Sequence, residues 1–288
     1  MKISIILPCL NEERSLETLI PCLTQSYPDA EVIVVNDGSS DNSAQIAAQA
    51  GAKVITHPYS KGNGSAIKTG AREANGDILV FMDADGQHEP KDIKKLLKEL
   101  EAGYDMVVGA RSSSSQASFG RWCANSFYNW LASWIAGHKI ADLTSGFRAV
   151  KANKFKEFLH LLPNGFSYPT TITMAFFRAG YSVNYIPIVA LKRIGKSHIK
   201  LLKDGVRFLL IIFKIGTLYS PLKLFGPLSL VFFILGISYY SYTFITDGRF
   251  TNMGMLLFTT SILIFLIGLL SEQITQLLYS DSNRNSKL

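Results

Sequence analysis

The chain has 288 residues, 48% of them hydrophobic, enough for one domain of ordinary size and something beyond it. Its net charge is +7, with a pI near 9.2, a balance that suits nucleic acid, a phosphate-bearing substrate or an anionic membrane surface. The three cysteines, Cys9, Cys22 and Cys123, show no CxxC spacing, which argues against a disulfide framework or a zinc site and fits a reducing compartment.

The opening apolar run ISIILP is too short for a signal peptide, and the acidic NEE follows at once. KISIILPCLN (2–11) reads as a strand ending in a loop. Residues 12–25 have helical spacing through Leu16, Leu19, Ile20 and Leu23. EVIVVNDGSS (31–40) is a strand followed by a polar turn, 43–50 is helical, and KVITH (53–57) is a strand. Residues 66–74 are helical, DILVFMD (77–83) is a strand, 91–102 is helical, and DMVVGAR (105–111) is a strand. Continuous apolar strands alternating with helices predict an α/β fold, a parallel sheet covered on both faces. Ligands of such sheets bind outside the carboxyl ends of the strands. Asn11, Glu12, Asp37, Asp83, Asp85 and Arg111 stand at those ends.

The stretch FMDADGQHEP (81–90) sets two carboxylates at the end of an apolar run. If the strand stays extended to Asp85, Asp83 and Asp85 point the same way. Two such groups repel unless a cation lies between them. Oxygen donors with few protein ligands suit Mg²⁺ or Mn²⁺ shared with substrate phosphates, and Gln87 could add an amide oxygen. His88 reads as structural rather than as a ligand.

Beyond about residue 200 the composition changes. Residues 222–245 carry one charge, Lys223, and 253–270 carry none. Stretches of 18 or more apolar residues are long enough, or nearly so, to cross a hydrocarbon core of ~30 Å. The connector TDGRFTN (246–252) makes them a hairpin. Lys203, Arg207, Lys214 and Lys223 precede the first span, Arg284 and Lys287 follow the second, and the connector has only Arg249. The positive-inside rule therefore predicts that both ends and the N-terminal domain are cytoplasmic. The segment 198–221, apolar but punctuated by cations, reads as helices lying in the membrane interface.

The combination LPCLNEE (7–13), VVNDGSSDNS (34–43), SKGNGSAIKTGAREANGDILVFMDADGQ (60–87) and VVGAR (107–111) resembles, in order and spacing, the family 2 glycosyltransferases, inverting enzymes of GT-A fold. With QHEP (87–90), DLTSGFRAV (142–150) and RIGKS (193–197), it is most similar to the dolichol-phosphate-mannose synthase branch, which includes bacterial enzymes that load sugars onto polyprenyl phosphate. The resemblance covers residues 3 to about 200, and the trailing hairpin fits branch members with membrane spans.

That resemblance implies a Rossmann-like, mostly parallel GT-A domain over 1–197. It is followed by interfacial helices (198–221), two transmembrane helices (about 222–245 and 252–278, within 222–280) and a cytoplasmic tail (281–288). It implies a UDP- or GDP-sugar donor, a polyprenyl phosphate acceptor and an Mg²⁺ or Mn²⁺ cofactor. Pro8, Asn11, Glu12 and Asp37 would hold the base and ribose, and Lys61 would cover the nucleotide. Asp83 would lie against ribose and metal, with Asp85 and Gln87 on the metal. Arg111, Arg193 and Lys196 would grip phosphates, and Arg148 would lie beside the acceptor region. Arg121, Asn125 and Ser145 are further candidates for the acceptor phosphate. His198 departs from the lysine-type residue usual after G-K-S. The implied place is a bacterial inner membrane, with the hairpin embedded in the lipid bilayer.

A lipid monophosphate is largely dianionic at neutral pH, its second pKa being ~6, so it needs no general base. Asp142 is the nearest candidate for a base, and the reading goes against that role. A family 2 transferase acting on a polysaccharide is the alternative, but there are only two spans and no QxxRW-like sequence. A non-catalytic scaffold would not need Asp83, Asp85, Gln87, Arg111 and Arg193. Nucleic-acid binding lacks any recognisable module. Gly195-Lys196-Ser197 ends like a P-loop, but Ala190 stands where that motif needs glycine. A hairpin this small leaves faces that a homo-oligomer could bury.

Overall fold

The computed structural model describes residues 1–111, 119–165, 167–189, 213, 216–217 and 220–285, with side chains described outside 119–125 and 278–285. The first half follows the apolar pattern closely. β1 (Ile3–Cys9), α1 (Glu13–Ser26), β2 (Glu31–Asn36), α2 (Ser43–Gln49), β3 (Lys53–Thr56), α3 (Asn63–Glu73) and β4 (Ile78–Phe81) alternate as strand and helix. A 3₁₀ turn at Pro90–Asp92 leads into α4 (Ile93–Glu101), then β5 (Met106–Arg111). The rest of the domain comprises α5 (Phe119–Ala136), β6 (Arg148–Lys151), α6 (Ala152–Glu157), α7 (Tyr168–Arg178) and β7 (Val183–Ile188).

The seven described strands form one sheet in the order β3-β2-β1-β4-β6-β5-β7. All neighbours are parallel except that β6 runs antiparallel to β4 and β5. The sheet is therefore mixed, mostly parallel rather than wholly so. The chain leaves β5 through α5 and re-enters between β4 and β5 from the opposite direction, with Arg148 opposite both Phe81 and Val108.

Both faces are covered, as period-2 alternation of apolar strands requires. Ile5, Leu7, Val32, Val34, Ile78 and Val80 pack with Leu16, Ile20, Leu23, Ile93 and Leu96. On the other face Ile6 and Val35 press so closely on α3 that a Cβ at Gly70 would collide with Ile6. Phe81 packs on Phe155 of α6, ring centroids 4.6 Å apart. The order of strands reverses at β1, which has β2 on one side and β4 on the other. Such a switch point opens a crevice at the carboxyl ends of the two diverging strands.

The chain divides into two units, Met1–Asp204 and Gly205–Leu288. In the second, α8 (Pro221–Asp247) and α9 (Asn252–Asn285) form an antiparallel pair joined by a turn, with Gly248 in the left-handed conformation. Residues 221–247 and 252–277 are each long and apolar enough to cross a membrane. Only 11% and 17% of their most apolar windows are buried, where the core helix of a soluble domain is mostly buried. Ser229 and Ser261 tie the pair together, each hydroxyl donating to the other's carbonyl at 2.9 Å. The interfacial helices expected over 198–221 fall almost entirely outside the described residues.

Candidate active site

At the end of β1 the chain must turn sharply into α1. Asn11 makes that turn at φ 57°, a left-handed conformation that asparagine tolerates better than most residues. Its Oδ1 accepts from Ser40 N at 2.8 Å, and its own N–H donates to Ser39 Oγ at 3.0 Å. Glu12 N donates to Ser43 Oγ at 3.0 Å, and Glu13 N to Asp41 Oδ2 at 3.3 Å. The NEE and DGSSDNS motifs, far apart in sequence, are thus laced into one rim of the crevice. Pro8, one strand residue before Cys9, is buried beside Val35 rather than lining that rim.

Asp37 directly follows β2 and is 4% exposed. One carboxylate oxygen takes the His57 ring at 2.7 Å and Lys61 N at 2.9 Å; the other takes Ser60 Oγ at 2.9 Å and Gly62 N at 2.8 Å. A carboxylate has about four lone-pair sites, so Asp37 is filled by the 57–62 segment. It holds the loop where the sequence reading had it facing a base. Burial alone would raise its carboxyl, but His57 and the three loop donors outweigh burial and hold it below the usual range. The far nitrogen of His57 meets Thr69 Oγ1 at 2.9 Å, extending the tie to α3. Lys61 itself is exposed, its ammonium 5.7 Å from the Tyr59 ring. Gly62 and Gly64 let the loop pass under residues 163–165: a Cβ at Gly62 would lie 2.5 Å from the Asn164 carbonyl.

β4 ends at Phe81, so the strand does not stay extended to Asp85. Asp83 and Asp85 therefore stand in the turn that follows β4, not on its pleat. Gly86 has φ +73°, and Asp85 Oδ1 accepts Gln87 N at 3.1 Å, an Asx turn that holds Asp85 in place. Asp85 is 7% exposed, while the Asp83 side chain is 36% exposed. His88 is buried, stacked on Phe147 at 4.8 Å, with Nε2 3.7 Å from Asp83 Oδ2.

The donor chemistry fits a hard divalent cation, being two carboxylates and a neighbouring amide. Among the described residues no group of three or more His, Cys, Asp and Glu could hold a metal by itself.

Arg111 ends β5. Its Nε and Nη2 grip Asp142 Oδ2 and Oδ1 at 2.8 and 3.0 Å, and Nη2 also donates to Thr144 Oγ1 at 2.7 Å. Burial works against the charge of both partners. The pairing outweighs it, raising Arg111 and lowering Asp142, and Asp83 adds to the pull on Arg111. An ionised Asp142 held bidentately in this way is poorly suited to take a proton, in keeping with the reading against it as a base.

Arg148 and Ser145 are not brought into the crevice. Arg148 is 0% exposed, and its guanidinium donates to the Ser145 and Pro169 carbonyls and to Thr173 Oγ1. Burial works against its charge, and the Tyr168, Tyr185, Asp142 and Asp83 side chains partly offset that. Ser145 is 2% exposed and gives its hydroxyl to the Gly109 carbonyl at 2.6 Å. The side chains of Arg121 and Asn125 lie outside the described residues, as do Arg193 and Lys196. His57, Thr144 and Gly146 were missed by the sequence reading. Only His57, a polar residue at a strand's carboxyl end, carried a signal of the kind that singled out Asp37.

Residues 4–159 match the family model described as Glycosyl transferase family 2, and residues 220–277 match that of the GtrB C-terminal hairpin. The undecaprenyl-phosphate 4-deoxy-4-formamido-L-arabinose transferase of Photorhabdus laumondii is 35% identical, with 59% of this chain and 58% of that protein covered. That of Serratia proteamaculans is 34% identical with the same coverage. The chain thus spans less than two thirds of the length of these curated relatives. Among solved structures, glucosyl-3-phosphoglycerate synthase of Mycobacterium tuberculosis, in complex with Mn²⁺, UDP-glucose and phosphoglyceric acid, superposes with TM-score 0.62 at 20% identity, covering 75% of this chain and 79% of that one. A likeness at that identity speaks for the fold. With the family model matched over more than half of its length, this chain belongs to glycosyl transferase family 2.

Proposed function

We propose that the chain transfers a sugar from a nucleoside-diphosphate sugar to polyprenyl phosphate, with inversion at the anomeric carbon, from the cytoplasmic face of a membrane. One observation carries the reading: two carboxylates, Asp83 and Asp85, follow β4 beside the switch point of the sheet, in a chain that also carries two helices of bilayer length. The naming of the curated relatives as undecaprenyl-phosphate sugar transferases supports the acceptor class.

In this reading the rim formed by Asn11, Glu12 and the Asp37-anchored loop with Lys61 binds the nucleoside. Asp83, Asp85 and Gln87 would hold Mg²⁺ or Mn²⁺. When bound, the cation would neutralise charge on the departing diphosphate. Arg111, fixed by Asp142 and Thr144, directs positive charge toward the Asp83 side of the crevice. Arg193 and Lys196 are assigned to the phosphates, as the family resemblance implies. The acceptor phosphate attacks as a dianion, so no residue is required to remove a proton.

The test is transfer. Membranes holding the full chain are incubated with undecaprenyl phosphate, Mg²⁺ or Mn²⁺, and radiolabelled UDP- and GDP-sugars. Label extracted into organic solvent from one donor, lost on chelation and in Asp85→Ala, is the expected result. Absence of lipid-linked label from every donor, with nucleotide binding intact, would assign the chain another acceptor.

A further inference from the structure

α5 has two apolar faces where a helix of a soluble domain has one. Tyr128, Ala132 and Ile135 are buried at 8%, 5% and 2%, and the helix packs on α7. Phe127, Trp130 and Trp134 are 48%, 61% and 43% exposed. At 100° per residue these three fall within an arc of roughly 60°, so they form one stripe, and the rings of Phe127 and Trp130 lie 6.0 Å apart. From Trp122 to Gly137 the sequence has no charged residue, and Arg121 and Lys139 flank that stretch. Water is a poor solvent for such a stripe.

We propose that the aromatic stripe of α5 inserts into the headgroup–acyl boundary of the bilayer and anchors the catalytic domain there. Three arguments favour lipid. Tryptophan, with an apolar body and one N–H donor, favours that boundary. The flanking cations, with no acidic residue between them, complement anionic lipid. The chain also brings its own bilayer, through the spans at 221–247 and 252–277. Tethering makes the contact intramolecular, so a small anchor suffices. A second copy of the chain is a weaker fit. Three rings about half exposed offer about 300 Å², against the ~800 Å² per partner of a stable interface.

The experiment uses intrinsic fluorescence. All three tryptophans of the chain, Trp122, Trp130 and Trp134, lie in α5, so emission from the full protein reads this helix and not the spans. The protein is reconstituted in vesicles of phosphatidylethanolamine and phosphatidylglycerol. Emission is then quenched by lipids brominated near the headgroup or by aqueous iodide. Blue-shifted emission is expected, mostly lost to bromolipid and little affected by iodide. The bromolipid-sensitive part should disappear in Trp130→Phe/Trp134→Phe, a pair of changes mild enough to keep the fold. Strong iodide quenching with no bromolipid effect would overturn the proposal. So would protection from both quenchers that varies with protein-to-lipid ratio, which indicates a second copy, or bromolipid quenching that persists in the double variant. No step reads transfer, so this proposal and that of the reaction fail separately.

Discussion

A Cβ placed on Gly146 would lie 3.0 Å from Asp83 Oδ2 and 3.2 Å from Oδ1. The glycine at the entrance to β6 is therefore what lets the end of β4 keep its carboxylate where it stands. Contacts this tight force a shift of part of an ångström, and it falls on the Asp83 side chain, whose atoms are the ones met. Gly146→Ala is expected to leave the melting temperature within a few degrees of wild type and to lower transfer by on the order of tenfold to a hundredfold, the scale on which sub-ångström misplacement of a reacting group is felt. The Mn²⁺ concentration for half-maximal activity should rise as well. Unchanged kinetics with an intact fold would show that the carboxylate has slack.

Asp37 makes a different prediction, because its oxygens are fully used within the protein. Asp37→Asn turns one acceptor into a donor facing donors from the 57–62 segment. A cost of about 1–3 kcal/mol is expected, that of a buried hydrogen-bonding group left unmatched. The pH dependence follows from its depressed pKa. Stability contributed by the ionised carboxylate is fully present above the unfolded value, about 3.9, and is lost as pH falls through the lower folded value. Urea melts from pH 7 to pH 3 should therefore show the gap between wild type and Asp37→Asn narrowing only below about pH 4. A gap that closes near pH 6 would place the titration on another group.

Much of this site was legible in the sequence, and the rest was hidden for definable reasons. β1, β2, β4 and β5 are continuous apolar runs, and their carboxyl ends named Asn11, Asp37, Asp83 and Arg111 directly. β6 is only RAVK and opens on a charge, and β7 is a half-buried edge strand, so neither has the apolar run that marks a core strand. The family resemblance set Arg148 beside the acceptor region, although its guanidinium is buried, as arginine rarely is. Nothing local reveals the Ser145 and Pro169 carbonyls and the Thr173 hydroxyl that accept from it. Arg111 was found, but its partner Asp142 lies 31 residues on, and only the antiparallel return of β6 brings them together. The extended reading of Asp83 and Asp85 failed because β4 stops at its last partner, Phe81.

The Arg111–Asp142 pair separates a structural carboxylate from a catalytic one. If Asp142 only fixes Arg111, Asp142→Asn should lower transfer at all pH values while the shape of the pH–rate profile stays the same. Loss of one limb of the profile would instead make it a base. Arg111→Ala and Asp142→Ala should be markedly non-additive, since each removes the other's partner. The pair is one-third exposed on the arginine side, so the loss of stability should fall below the 3–5 kcal/mol typical of a broken buried pair.

In the hairpin, polarity and close packing coincide. Ser229 and Ser261 exchange hydrogen bonds to each other's carbonyls, and a Cβ at Gly236 would lie 3.1 Å from the Phe258 ring. Lipid tails supply no hydrophobic drive for helix pairing, so small residues and shared hydrogen bonds must hold the two helices together. Ser229→Ala with Ser261→Ala should destabilise the hairpin by about 1–2 kcal/mol, since interhelical hydrogen bonds in membranes average about 0.6 kcal/mol. Gly236→Leu should cost more, because it pushes directly on Phe258. Ser238, exposed on the same helix, is the control, and Ser238→Ala should change little. Reversible unfolding of the full chain in mixed micelles measures all of these variants. If the serine pair costs no more than the control, the hairpin is held by packing alone.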